Sequence, residues 1–404
     1  MAENTTKIPD KDLLQYGCDM IYLAECALRG QTPERKIVED MCLPQVYKVA
    51  KKHMMAAVTY MALESFLISS HSEGWNVDTG LLSQWMSEKN KALKRVRMMD
   101  EERARIMAFL EDAGIWYMGL KGIVLKDLYP KPGMRQMSDN DILFDSEFRE
   151  QVRDYMVNSG YTVKEYNISD HDVYLKQPVF LFEMHAELFE KTRYPEFFHH
   201  YANVKSRLLK VPGKEQEFRF SDEDFYIYFI THAYKHYAAS GNGIRFLMDV
   251  YLYTKEKTQL DWGYIEQQMD MLGILRFAQD CRMLANKLFE AEPGSLPQIL
   301  QDGEQKELFT YLYAGPYGNR NMSTEKQLHK EKNDTEKLTW KTKLKYFWNR
   351  LFPGMDYFRK YAPFFYKYKV LLPFYLVYWW ISKTAKHYKR IWKEIKFVWK
   401  FREE

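Results

Sequence analysis

Two aspartates one residue apart, Asp139 and Asp141, stand in MSDNDILF at the mouth of an apolar run. Further on, Glu183 and His185 stand two apart in VFLFEMHAEL. Alternate residues of a strand share a face, so Asp139 and Asp141 are expected to present both carboxylates to one side of a sheet edge, and Glu183 to share a face with His185. Like charges held a few ångströms apart repel, and a bound cation is the natural way to neutralise them. A hard divalent ion such as Mg²⁺ takes carboxylate and phosphate oxygens. Glu183, on a neighbouring strand, offers a third carboxylate, and paired metal sites of this kind activate an attacking hydroxyl. Left without a cation the three charges should strain the fold, so Asp141→Asn is expected to leave the metal-free protein at least as heat-stable as the native chain. Plainer readings stand beside these: a turn and strand-start pair for the aspartates, an exposed strand acid for Glu183, a satisfied interior histidine for His185.

Such residues need elements to hold them. Residues 10 to 113 read as helical, with apolar residues at three- and four-residue intervals in VTYMALESFLISS and RARIMAFLEDAG, and a break at SEGWNVDTG. IWYMGLKG after EDAG reads as a short strand ending at a glycine, IVLKDLYP as a helix of about two turns stopped by Pro130. NDILF is a strand, and SEFREQVRDYMVNSG, with an acidic first turn and a glycine stop, is a helix. YTVKEYN, DVYLK and VFLFEMHAEL alternate or run apolar as strands do. From Ser221 to about Ala314 the helical pattern returns, opened by the capping-box-like SDEDFY. The expected class is α+β, a small mixed sheet flanked by N- and C-terminal helical regions. The expected divisions are a helical region over 1–100, a core over 101–220, a helical domain over 221–335 and a basic aromatic tail over 336–404.

Composition narrows the class. A chain of 404 residues with 46% hydrophobic content is long enough to bury a sizeable core, which excludes a disordered protein. Cys18, Cys26, Cys42 and Cys281 show no CxxC spacing, which argues against zinc and for a reducing compartment. The first residues, MAENTTKIPDKDLLQYG, contain no apolar signal segment, so a cytoplasmic location is expected. Residues 336–404 carry 17 Lys and Arg against 5 Asp and Glu, a net of +12, while the rest of the chain is at −8. That asymmetry points to an anionic partner or surface for the tail.

The combination of LKG at 120–122, LYPKPGMRQMSDNDILF at 128–144, FEMHAELF at 182–189 and HAYKHY with GIRFLMDVYLY between 232 and 253 resembles the nucleotidyltransferase superfamily typified by DNA polymerase β. Within it, the likeness is to uncharacterised bacterial nucleotidyltransferase family proteins. The resemblance implies transfer of a nucleoside monophosphate from an NTP to a hydroxyl acceptor with Mg²⁺ or Mn²⁺. Asp139 and Asp141 would be the first metal ligands and Glu183 the third. The family's glycine-serine pair is here Gly122 followed by Ile123, so Lys121, the amides after Gly122, and Arg135 are expected to hold the triphosphate. His185, His232 and Lys235, with Arg245 and Asp249, are expected to line the nucleotide or acceptor cleft. His232 and His236, one helical turn apart, read as a polar face before a metal pair.

The tail segment VLLPFYLVYWWIS has 13 uncharged residues between Lys369 and Lys383, short of the roughly 20 that span a bilayer. Its tryptophans and tyrosines between lysines fit peripheral contact with the inner membrane surface. Packing of a helical arm onto the body and contact with nucleic acid stand as alternatives. For the whole chain two other classes remain beside an enzyme with an unspecified acceptor (small molecule, protein or RNA): a catalytically weak nucleotide-binding scaffold with a membrane-docking tail, and a toxin that modifies RNA.

Overall fold

A glycine ends the long helix that leads into the sheet. The helix Thr79–Asp112 is capped by Asp78, whose carboxylate accepts from the amides of Gly80 and Leu81. It closes at Gly114, where φ of +69° lets the amide of Ile115 donate back to the Leu110 carbonyl at 2.9 Å. Its buried positions, among them Leu81, Trp85, Val96, Met99, Ile106 and Leu110, recur at helical spacing. Trp85 is fully buried and donates Nε1–H to the Ala56 carbonyl, which ties this helix to Ala56–Leu67.

The computed structural model describes residues 10–401 apart from 70–72, 76, 293, 297 and 332–338. Residues 1–9, part of the SEGWNVDTG break and the expected boundary between 335 and 336 lie outside the described residues. The chain forms two compact units, one of Met1–Lys235 with Asn242–Pro316 and one of His236–Gly241 with Tyr317–Glu404.

The first unit is α+β, as the patterning indicated. Strands β1 (Tyr117–Gly119), β2 (Asn140–Phe144), β3 (Thr162–Glu165), β4 (His171–Lys176) and β5 (Phe180–His185) form one sheet in the order β1-β2-β5-β4-β3. Only β2 and β5 run parallel, with Asp141 opposite Glu183 and Leu143 opposite His185. Two short strands, β6 (Leu209–Lys210) and β7 (Phe218–Arg219), pair separately. The alternation of β2 and β5 sorts side chains by face. Ile142, Phe144, Phe182 and Met184 join Tyr174, Ile106, Leu110, Val152 and Met156 in the core beneath Thr79–Asp112 and Arg149–Asn158. The other face carries Asp141, Glu183, His185 and His171.

Five helices follow between Asp222 and Ala314: Asp222–Ser240, Ile244–Glu256, Trp262–Met271, Leu275–Phe289 and Asp302–Ala314. Ser221 caps the first, its hydroxyl accepting from the Asp224 amide at 3.0 Å. In the second unit, helices Arg320–Glu331, Trp340–Leu351 and Leu372–Lys400 converge on a small core of Leu328, Tyr346 and Val398. No helix among the described residues is long and apolar enough to cross a membrane.

Candidate active site

The turn from β1 into the short helix Gly122–Leu125 carries backbone strain at one residue. Lys121 has φ 46° and ψ −114°, the first central position of a type II′ turn, ordinarily a glycine. The Ile123 amide closes the turn on the Leu120 carbonyl at 3.1 Å, and the Leu120 amide donates to the Asp141 carbonyl at 2.9 Å. Holding a lysine there costs about 1–3 kcal/mol. The side chain explains why it is held: Lys121 Nζ lies 2.6 Å from Asp141 Oδ1 and 3.9 Å from Glu183 Oε2.

Asp141 is buried, and His185, also buried, places Nε2 3.0 Å from the same Oδ1. Burial works to raise the Asp141 carboxyl, but Lys121 and His185 outweigh it and hold the group well below the usual carboxylate range. Asp139 goes the other way. Burial first, then the charges of Asp141 and Glu183, push its carboxyl up, although the Ser138 hydroxyl donates to it at 2.9 Å. Two carboxylates one residue apart therefore differ in protonation tendency, because the ammonium sits on one of them.

Among the described residues, two groups bring donor atoms within 4.8 Å of one another: Asp141, Glu183 and His185, and Asp170, His171 and His185. Asp139, expected as a first ligand, belongs to neither, though it feels the charges of Asp141 and Glu183. Two carboxylates and an imidazole suit a divalent cation, and the ammonium of Lys121 standing on those carboxylates marks the spot as one that demands positive charge.

Arg135 and Gly122 meet below this centre. A Cβ on Gly122 would come within 2.8 Å of Arg135 Nη1 and 2.9 Å of Met137 Cε, so a larger residue would have to displace the ends of these two side chains. Arg135, expected to hold phosphate, instead gives Nε and Nη2 to the two oxygens of buried Asp249 at 2.8 and 2.9 Å. Tyr129 donates its hydroxyl to the same Asp249 at 2.7 Å, and Arg245 donates to the Gln136 carbonyl at 2.7 Å. The GIRFLMDVYLY segment thus clamps the 129–137 loop that delivers Asp139 and Asp141. Lys235 lies nearer the chemistry, in the field of Asp170, Glu183 and Asp141, and burial followed by Lys121 presses its pKa down. His232 lies beside Tyr228, with ring centroids 6.1 Å apart and the rings tilted by 42°. Tyr228 itself is buried and within the field of Lys121 and Asp141, and its hydroxyl has no hydrogen-bond partner. Its polar tip was invisible in a sequence where Tyr228 read as an ordinary helix residue, and Asp170 and His171 fell between the expected strands YTVKEYN and DVYLK.

A cleft of ≈ 650 Å³ opens at Leu143 on β2 and Ala186 just past β5, on from Asp141 and Glu183 along the same strands. Trp116, Phe189, Phe198, Tyr201 and Lys205 also line it.

The pairing of Asp141 reverses the expectation for its amide variant. Asp141→Asn strands a buried ammonium, and in chelator-treated protein it should lower the melting temperature. Lys121→Met should likewise destabilise by about 3 kcal/mol at pH 7. The folded carboxyl of Asp141 lies below its unfolded value, so its contribution is complete above about pH 4 and fades as pH falls. The deficit of Lys121→Met should therefore be widest near neutrality and narrow on acidification, as urea denaturation at several pH values will read. A deficit independent of pH contradicts the pairing.

No curated protein and no solved structure matches this chain. A sequence family does: residues 43–290, from the first residue of the helix Leu43–Lys52 to just past Leu275–Phe289, match the family described as Uncharacterised nucleotidyltransferase. The match takes in the sheet, the strained turn and the clamping helices, more than half of the chain. The chain belongs to this nucleotidyltransferase family.

Proposed function

We propose that the chain transfers a nucleoside monophosphate from an NTP to a hydroxyl acceptor and releases pyrophosphate, as a member of the DNA polymerase β-like superfamily. The observation that carries this reading is the registered pair Asp141–Glu183 on parallel strands with the Lys121 ammonium between them. Asp141 and Glu183, with Asp139 beside them, are the residues to hold Mg²⁺ or Mn²⁺. When bound, such an ion neutralises triphosphate charge and makes the acceptor hydroxyl more acidic. The acceptor oxygen bonds to the α-phosphorus, the α–β bridging bond breaks, and its electron pair leaves on pyrophosphate. Glu183, the most accessible of the site carboxylates paired by Lys121, takes the hydroxyl proton. Lys121 and Lys235 face the triphosphate, Tyr228 offers an unpaired hydroxyl, and the aromatic cleft receives the acceptor. Arg135 acts at one remove, by positioning the loop.

Incubation with each of the four NTPs and Mg²⁺ or Mn²⁺ should release pyrophosphate for at least one of them. Glu183→Gln should reduce the rate by about 100-fold or more. Release that is equal in Glu183→Gln and the native chain overturns the assignment.

A separate observation favours a surface role for the second unit. Leu372–Lys400 is interrupted by non-helical backbone at His387; Phe374, Tyr378 and Ile381 before it, and Tyr388, Trp392 and Trp399 after it, are exposed at three-, four- and seven-residue spacings, an apolar stripe in two segments with lysines beside it. We infer that this stripe lies in the interface of an anionic membrane, and the four free cysteines suit its cytoplasmic side. Full-length protein should sediment with phosphatidylserine vesicles at low salt, and Tyr378→Ser with Trp392→Ser should remain in the supernatant. Equal sedimentation of the two proteins contradicts the inference.

A further inference from the structure

The face that carries Asp141 and Glu183 continues across the sheet to a group with different chemistry. We propose that Asp170, His171 and His185 form a second cation site, for a borderline transition metal such as Zn²⁺ or Co²⁺. One donor atom from each residue lies within 4.8 Å of the other two. The strand register brings this about: His171 on β4 stands opposite His185 on β5, with ring centroids 4.9 Å apart. Asp170 is fixed at the end of β5, because its carbonyl accepts from the amides of Ala186 and Glu187 at 2.9 and 3.0 Å.

His185 is the independent sign that something is to be bound. It is 2% exposed, its Nε2 is engaged by Asp141, and its Nδ1 is buried with no hydrogen-bond partner. Buried ring nitrogens are rarely left unpaired. An imidazole nitrogen without a partner is open to a metal, which would displace any proton on it. Asp170, 8% exposed, lies 3.2 Å from His171 Nδ1, so a carboxylate oxygen stands beside one imidazole nitrogen of the group. Two imidazoles and one carboxylate differ from the oxygen-rich Asp141–Glu183 group. Imidazole selects for Zn²⁺, Co²⁺ and related ions, whereas Mg²⁺ prefers oxygens alone. Lys235, whose charge acts on Asp170, is the cation that such an ion would face.

The site shares His185 with the proposed active site but does not depend on nucleotidyl transfer, since Asp170 and His171 have no part in that reaction. Chelator-stripped, nucleotide-free, full-length protein titrated with Co²⁺ gives a direct reading. The native chain should develop visible d–d absorption, and Asp141→Asn should keep it. His171→Ala and the isosteric Asp170→Asn should lose the band and bind Co²⁺ at least about 10-fold more weakly. His171 is partly exposed at the surface end of β4, so its variant is expected to fold, and a melting curve checks this. No band in the native chain, or an unchanged band and affinity in both His171→Ala and Asp170→Asn, overturns the proposal. Because pyrophosphate release is not measured, a protein that binds Co²⁺ in this way yet turns over no NTP upholds this site while sinking the transfer reaction.

Discussion

Three carboxylates gather beside β2 and β5, and the Lys121 ammonium is hydrogen-bonded to one of them, Asp141, and 3.9 Å from a second, Glu183. Asp141 and Glu183 are brought face to face by the parallel register, and Asp139 follows from its place one residue before β2. In a low-dielectric interior this much negative charge raises the free energy of the fold, and the contact of Lys121 Nζ with Asp141 at 2.6 Å is what offsets it. The lysine reaches that position only by adopting a backbone conformation suited to glycine. Strain in the turn is thus tied to the acids: the ion pair that relieves their repulsion is the interaction that holds Lys121 in its strained conformation.

The remainder of the first unit fixes where that ion pair sits. The hydrophobic side of the sheet, built on Phe144, Phe182, Met184 and Tyr174, holds β2 and β5 against Thr79–Asp112 and sets the register. From the other direction Asp249 receives Arg135 and Tyr129, and Arg245 takes the Gln136 carbonyl, so the loop entering β2 is fastened at several points to one helix. Breaking a buried charged clamp of this kind leaves an unpaired guanidinium, which is far more unfavourable than losing a surface pair. The carboxylates are therefore placed by elements that do no chemistry.

Much of this was legible in the residues themselves. NDILF coincides with β2, and FLFEMH within VFLFEMHAEL is β5, because short apolar or aromatic runs of this length read as strands from local sequence alone. The glycine after EDA and the serine before DEDF mark helix ends through local chemistry alone. What depends on distant pairing was not legible. Arg135 reads as a phosphate ligand because Ile123 stands where the resembled family has serine, while its partner Asp249 lies 114 positions along the chain. Asp141 read as an unanswered charge because nothing local shows Lys121 turning back onto it. The Asp170–His171 pair gained meaning only once the register set His171 opposite His185.

The central claim is that Asp141 and Glu183 together hold a cation and, through it, a nucleoside triphosphate. Ligands that bind only the folded state raise its stability by mass action, by about 2.7 kcal/mol at a hundred times the dissociation constant. The most direct measurement is the melting temperature of the native chain and of Glu183→Gln, each with and without ATP, GTP, CTP or UTP in Mg²⁺ or Mn²⁺. A rise for at least one nucleotide that requires the cation and is absent in Glu183→Gln is the predicted result. An equal rise in both proteins, or one that persists without any divalent ion, contradicts the account.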